Sequence, residues 1–342
     1  MDILLLENLS PDAVAWLQSR YSVASHPIHS RAPSDLRAMV RKARAIVLPA
    51  EFLVTRDFLE FAPQLKVVAR VHLGRDNTDL SACMERRVRV IHGSSAAVRS
   101  NAEYLLTTVL LLHRRAIAMA VAGQTSDGFG LGREVQGTTI GLLGVTPTTL
   151  ALAPLLRALG AKLVGYDPAV HHSAPVWGQM QIQAVALPEL LARSNTVSVQ
   201  LRYASRYRNF VNANLLEHCR PGQNWVSITG SALFDPQALA IALTDGRIES
   251  CTLDGADAAF AAVESPLHGL PNLYLTSSQA SNTREFRERA SWLLANQIHE
   301  TLDNQRIDKA ESLVPEQYLG DPGQGVVVHE VFETTDPGRI SR

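Results

Sequence analysis

Residues 137–168 read GTTIGLLGVTPTTLALAPLLRALGAKLVGYDP, and the fold is decided there. Ile140–Leu143 is a short apolar run with the character of a buried strand. Gly144 follows as a turn. Thr146 and Pro147 make a helix start: an N-cap hydroxyl, then the residue that loses nothing at the first helical position by lacking an N–H. Leu152, Leu155, Leu156 and Leu159 then recur at helical spacing, and Gly160 stops the helix. Lys162–Tyr166 is a second strand, closed by Asp167. Strand, glycine turn, helix and a strand ending in an acid form the unit that grips a dinucleotide, with the acid on a ribose diol. Of the three glycines in that fingerprint only Gly144 is present. Thr146 and Thr149 stand at the other two places.

On the N-terminal side, Ile3–Leu6 reads as a strand and Ser10 as the cap of a helix through Leu17. Extended pieces follow at Val23–Ala24 and Ala45–Leu48, then strands at Lys66–Arg70 and Val88–Ile91. Asn101–Ala122 reads as one long apolar helix carrying Leu105, Val109, Leu110 and Leu112, suited to join two domains or to line a dimer interface. Ser126–Gly137 reads as an exposed loop. On the C-terminal side come helices at Leu187–Leu191, Asn212–Glu217 and Pro236–Leu243. They alternate with strands at Thr196–Leu201, Asn224–Thr229, Ser250–Leu253 and Leu273–Leu275. Such alternation argues an α/β protein with parallel, doubly wound sheets. Arg284–Leu302 is an amphipathic helix expected to return to the first domain. The expected domains are 1–97 with 285–310, and 98–284. Residues 311–342 are expected to be a tail, or an arm pairing with a neighbouring subunit through Val326–His329.

The 342 residues suffice for two domains, and a formal net charge of -1 gives no electrostatic case for nucleic acid or an anionic membrane. No apolar run approaches the roughly 20 residues of a membrane span. The three cysteines, Cys83, Cys219 and Cys251, are far apart, which suits a reducing cytoplasm and argues neither a disulfide framework nor a metal site. His171 and His172 are adjacent on a loop, a surface doublet rather than a metal pair. Ser277–Ser278 and Thr229–Ser231 have no histidine base beside them in sequence, as a nucleophile requires.

The order of these pieces resembles the D-isomer-specific 2-hydroxyacid dehydrogenases. The segments that carry the resemblance are LKVVARVHLGRDNTDL (65–80), NAEYLLTTVLLLHRR (101–115), GREVQGTTIGLLG (132–144), NANLLEHCRPG (212–222), ALFDPQALAIALTDGRI (232–248) and SPLHGLPNLYLT (265–276). The resemblance implies two Rossmann-like domains, flavodoxin-like and dinucleotide-binding, with a cofactor cleft between them and a homodimer built on the central domain. It also implies where the chemistry should be. The family's substrate-clamping arginine would fall at Gly230, its orienting glutamate at Asp257 and its proton-carrying histidine at Ser278. Glycine offers no cation, and a serine hydroxyl does not titrate near neutral pH. Each lost group is commonly worth about 10²-fold or more in rate.

For the cofactor, the resemblance places Asp167 on the adenosine ribose, favouring NAD over NADP, and Asp254 on the nicotinamide amide. The phosphate turn leaves two readings open. In one, the helix end and the Thr146 and Thr148 hydroxyls hold an NAD more weakly or differently; in the other, the threonines are only caps and NAD is lost. Arg202 replaces a proline of the family pattern. His72, Arg75 and Arg99 are candidates for a rebuilt site, with a cation from Arg75 or Arg99 and a proton relay at His72; the plainer expectation is that they fill an abandoned pocket. The expected function is therefore a degenerate NAD(H)-binding homologue that senses a small carboxylate ligand, scaffolds, or assists a protein partner. The alternative is an active NAD-dependent oxidoreductase on a small 2-hydroxy or 2-keto acid. Nothing in the sequence argues positively for a lyase or a hydrolase.

Overall fold

The computed structural model describes residues 1–27, 36–72, 77–122, 130–202 and 204–303. Arg75 and the expected tail or arm at 311–342 lie outside these residues. In chain order the elements are β1 (Ile3–Leu5), α1 (Pro11–Gln18), β2 (Val23–Ser25), α2 (Leu36–Lys42), β3 (Ala45–Leu48), α3 (Arg56–Phe61), β4 (Val67–Arg70), α4 (Leu80–Glu85), β5 (Arg89–His92), α5 (Val98–His113), α6 (Ala116–Ala122), β6 (Thr139–Leu143), α7 (Pro147–Ala158), β7 (Lys162–Tyr166), α8 (Pro175–Met180), β8 (Gln183–Ala184), α9 (Leu187–Arg193), β9 (Thr196–Val199), α10 (Ala213–Leu216), β10 (Gln223–Ser227), α11 (Pro236–Thr244), β11 (Ile248–Asp254), β12 (Leu273–Thr276) and α12 (Arg284–Asp303). The described residues fall into two compact units, 1–97 with 284–303, and 98–283.

The first unit is a parallel sheet in the order β2-β1-β3-β4-β5, the flavodoxin-like order. Its strands are apolar without a break because both faces are covered. Ile3 and Leu5 pack with Leu17 of α1 and Phe286, Leu294 and Ile298 of α12. Leu4 and Leu6 face the opposite layer, with Val40, Leu59 and Cys83 from α2, α3 and α4. Alternate residues of one short run therefore feed two cores, as a two-residue side-chain period requires. Ser10 precedes α1 as expected but does not cap it with its side chain. Its N–H donates to Ser291 Oγ at 2.8 Å and its hydroxyl to Glu288 Oε1 at 3.1 Å, so α12 has claimed the hydroxyl.

The second unit is a seven-stranded parallel sheet in the order β12-β11-β10-β9-β6-β7-β8. Strand order reverses between β6 and β9, and ligands of open α/β sheets bind at such a switch point, beyond the carboxyl ends of the strands. Trp225 and Phe234 anchor the core on one side of this sheet; Leu105, Leu152 and Leu156 belong to that on the other.

One helix reading needs correction. The long helix expected over Asn101–Ala122 is two helices, α5 and α6, separated at Arg114–Arg115, where Arg115 has φ +54°. The cause is tertiary. The Arg133 N–H donates to the His113 carbonyl at 2.7 Å, Gly132 lies against the Arg114 backbone, and the Arg115 guanidinium pairs with Glu249. Local sequence there, His-Arg-Arg, carries no breaker. The helix read from the leucine spacing is α7: Leu152 and Leu156 are fully buried, whereas Leu155 and the C-cap Leu159 are over a third exposed. Helices α2, α3, α4 and α8 were not read from the sequence at all; each has six or seven residues, too few for helical periodicity to stand out.

Candidate functional site

The switch point of the second unit begins at Gly144. Its φ is +109°, and a Cβ there would lie 2.5 Å from Leu201 N and 2.6 Å from Leu201 Cα, so only glycine fits the turn. The two threonines beyond it do not disturb the helix start. Thr146 is the N-cap of α7, with the extended backbone (φ -136°, ψ 166°) that any residue adopts. Its Oγ1 accepts from the Thr149 N–H at 3.3 Å, and Thr149 Oγ1 accepts from the Thr146 N–H at 3.1 Å. Thr149 Oγ1 also donates to the Gly144 carbonyl at 2.8 Å, leaving the Thr146 hydroxyl, 3.1 Å away, to donate to Thr149.

This reciprocal capping box has a chemical consequence. A helix start offers orphan N–H groups to an anion. Here those of Thr146 and Thr149 are satisfied internally, and Pro147 has none. Thr148 keeps its N–H, and its hydroxyl makes no hydrogen bond among the described residues although the residue is only 6% exposed.

Asp167 closes β7 and is buried. Its Oδ2 accepts from the Val145 N–H at 2.7 Å and its Oδ1 from the Ala169 N–H at 2.8 Å. Each oxygen keeps a lone pair, so the carboxylate can still accept from two vicinal hydroxyls. For a dinucleotide the fit is therefore uneven: the ribose end is intact, and the phosphate end is reduced to the donors of Thr148.

Gly230, Asp257 and Ser278 stand just beyond β10, β11 and β12, the ends of three adjacent strands. The structure links the first two positions through Ser231, which the sequence offers only as part of a nucleophile-like stretch without a histidine base. The buried Ser231 hydroxyl donates to Asp257 Oδ2 at 2.9 Å and accepts from the Asp257 N–H at 3.1 Å. Ser278 is exposed and left-handed, φ +54°. Asp254 holds its loop: Oδ1 accepts from the Thr276 hydroxyl at 2.6 Å and the Gln279 N–H at 2.7 Å, and Oδ2 from the Ala280 N–H at 3.0 Å. Because Thr276 spends its proton on Asp254, the Tyr104 hydroxyl 2.8 Å away is the donor to Thr276. An Asp254 expected to meet an amide is thus mostly engaged by its own loop.

Of the rebuilt-site candidates, Arg99 and His72 belong to different units and Arg75 lies outside the described residues. Arg99 is exposed and paired with Glu103 at 3.1 Å along α5. His72 belongs to the first unit, its ring 5.0 Å from that of Phe286; burial lowers its pKa from the usual histidine value, against the pull of Glu7, so the neutral imidazole prevails at neutral pH. The residue missed in that unit is Arg70, 3% exposed at the end of β4. Its guanidinium donates to the carbonyls of Pro49 (2.7 Å) and Phe52 (2.6 Å) and to Thr78 Oγ1 (3.1 Å). An arginine closing the otherwise apolar strand VVAR was the available signal.

Among the described residues no cluster of three metal-ligating side chains occurs. His171 and His172 stack on each other at 4.0 Å, and His171 Nδ1 bonds Ser173 Oγ. No helix among them is long and apolar enough to cross a membrane.

Comparison with known proteins gives a consistent result. Residues 106–280 match the family model described as D-isomer specific 2-hydroxyacid dehydrogenase, NAD binding domain. An (S)-sulfolactate dehydrogenase of Chromohalobacter salexigens is 28% identical over 304 residues, 88% of this chain and 98% of that protein. A D-3-phosphoglycerate dehydrogenase of Mycobacterium tuberculosis is 30% identical over 338 residues, which is 98% of this chain but only 61% of that longer protein. Among solved structures, the TT0316 protein of Thermus thermophilus superposes with a TM-score of 0.77 at 25% identity, over 90% of this chain and 98% of that one. D-2-hydroxyisocaproate dehydrogenase, at 17% identity, shares the fold with a TM-score of 0.75 over 90% of this chain and 98% of that one.

Proposed function

This chain belongs to the D-isomer specific 2-hydroxyacid dehydrogenase family, and from that premise we propose that it is a non-reducing member, which keeps a nucleotide site for NAD(H) and has given up ordinary 2-keto acid reduction. One observation carries the reading. At the ends of β10, β11 and β12, where the family's clamp, orienting acid and proton carrier belong, stand Gly230, Asp257 and Ser278. The Asp257 carboxylate accepts from Ser231, and no imidazole occurs between Asp254 and Arg284 except His268, which is exposed and lies 3.2 Å from the Ala261 carbonyl. A serine–carboxylate pair without a histidine base lacks a group that exchanges protons near neutral pH.

In this reading NAD, when bound, would bring hydride chemistry that the chain's own residues do not complete. Asp167 would hold the adenosine ribose. The role left to the protein is sensing the nucleotide or a small carboxylate, or assisting a partner enzyme, in a reducing cytoplasm that keeps Cys83, Cys219 and Cys251 free. The test is an assay of the purified protein against a panel of 2-keto acids with NADH and with NADPH. Turnover should stay below about 1 s⁻¹, the lower range of ordinary enzymes. Faster turnover that vanishes in His72→Ala would replace this reading with a rebuilt oxidoreductase.

The assembly in this reading is a homodimer. Leu110 and Leu111 of α5, Met119 and Val121 of α6, Leu155 of α7 and its C-cap Leu159 are all exposed. α5 packs against both α6 and α7, and in this reading a second copy covers these exposed apolar side chains. Light scattering should give the mass of two chains, falling to one in Leu111→Glu/Val121→Glu. A one-chain mass for the unmodified protein would remove the dimer.

A further inference from the structure

The capping box poses a problem for any nucleotide at this site. The α7 end spends its N–H groups on Thr146 and Thr149, so a diphosphate placed there lacks most of its usual donors. We propose that Arg202 makes good the loss and is the cation that grips the diphosphate at the head of α7. The inference rests on the NAD(H) reading above and adds the residue that decides its affinity.

Position is the first argument. Strands β6 and β9 are neighbours, with the Gln200 N–H on the Leu143 carbonyl at 2.9 Å. The turn at Gly144 then presses on the backbone of Leu201 so closely that a Cβ would not fit. Arg202 is the next residue, one step beyond the closest approach of the two turns. Its backbone origin is secured because Leu201 is buried and its carbonyl accepts from Thr229 Oγ1 at 2.9 Å.

Availability is the second. Arg202 is exposed and makes no hydrogen bond or ion pair among the described residues. Three other arginines of this unit are committed to carboxylates: Arg99 to Glu103, Arg193 to Glu189 and Arg247 to Asp245. On the facing chain, at the second residue of α7, Thr148 is more than nine-tenths buried and its hydroxyl makes no hydrogen bond among the described residues.

Chemistry is the third. A guanidinium presents paired donors that match two oxygens of one phosphate, and its charge opposes a dianion. The positive end of the α7 dipole adds to the same field. Arg202 from one side and Thr148 from the other would enclose the diphosphate without the second and third glycines of the usual turn. The ligand class is accordingly a nucleoside diphosphate whose ribose sits on Asp167.

The experiment is a titration with NADH, and separately with adenosine as a probe lacking phosphate, followed by calorimetry on the full chain. Wild type, Arg202→Ala, Arg202→Lys and Thr148→Val are compared. Arg202→Ala should weaken NADH at least tenfold and leave adenosine unchanged. Arg202→Lys should recover part of the loss, and Thr148→Val should lose less than Arg202→Ala. Raising the salt concentration should weaken NADH binding to wild type more than to Arg202→Ala. Equal NADH affinity in wild type and Arg202→Ala overturns the proposal and leaves the NAD(H) reading standing. Parallel loss of adenosine also overturns it, since the phosphate is then not what Arg202 holds. If neither ligand binds wild type, the reading and the proposal fall together.

Discussion

Replacing Asp254 with alanine is expected to cost the second unit about 3–5 kcal/mol, because it strands three buried or half-buried donors at once. The Thr276 hydroxyl and the Gln279 and Ala280 N–H groups all point at this one carboxylate. Bonds to a charged acceptor are worth roughly 1.5–3 kcal/mol each, and unpaired donors carry a further desolvation cost. Asp254→Asn should cost less, about 2 kcal/mol, since the amide oxygen can still serve Thr276 and Gln279 while its NH2 faces the Ala280 N–H. Urea denaturation checks both values, with the slope held constant between variants. Amide exchange at Gln279 and Ala280 should accelerate in Asp254→Ala before global unfolding. An alanine variant as stable as wild type, with those amides still protected, would mean that the loop bearing Ser278 holds itself and that the carboxylate is available to a ligand.

Arg70→Ala should cost the first unit a comparable 3–5 kcal/mol, roughly, as removal of a buried charge leaves its partners orphaned. The guanidinium reaches five oxygens, on Pro49, Ala50, Phe52, Asn77 and Thr78, and so ties the chain after β3 to the chain after β4. Burial pulls its pKa down from the ordinary arginine value, yet no arginine loses its proton in water at neutral pH, so the cation persists and carbonyl dipoles solvate it. Lysine cannot reproduce the planar fork, and Arg70→Lys should recover less than half of the loss. Thermal or urea unfolding followed through Trp16 and Trp292, both in this unit, gives the measurement. If Arg70→Lys matches wild type, charge alone matters and the geometry described for the fork is irrelevant to stability.

These two residues also show where sequence reading stops. The family register locates Asp254 in CTLDGAD and suggests a ligand contact. Which donors the carboxylate takes depends on where the β12 loop returns, about twenty residues later. Arg70 reads as one charged residue at the end of a strand; its acceptors come from a segment about twenty residues earlier and another about eight later. Thr146 and Thr149 differ from both. A threonine at an N-cap with a partner three residues on is a local arrangement, and the strand–turn–helix around it is legible from the same residues. What remained open was whether the Thr146 and Thr148 hydroxyls face a phosphate or the threonines act only as caps; the Thr146 hydroxyl turns to Thr149.

By itself the sequence determined the α/β class, the alternation of strands with helices and the βαβ unit at 137–168. Each of these is a matter of residue type or of short-range period, and none depends on distant partners. Tertiary structure alone decided the break between α5 and α6, the diversion of the Ser10 hydroxyl to α12, the Ser231–Asp257 pair, the buried fork of Arg70 and the closing of the α7 end. The reason is common to all of them: a polar group bonds to whichever partner folding brings within about 3 Å, and that partner is usually remote in the chain.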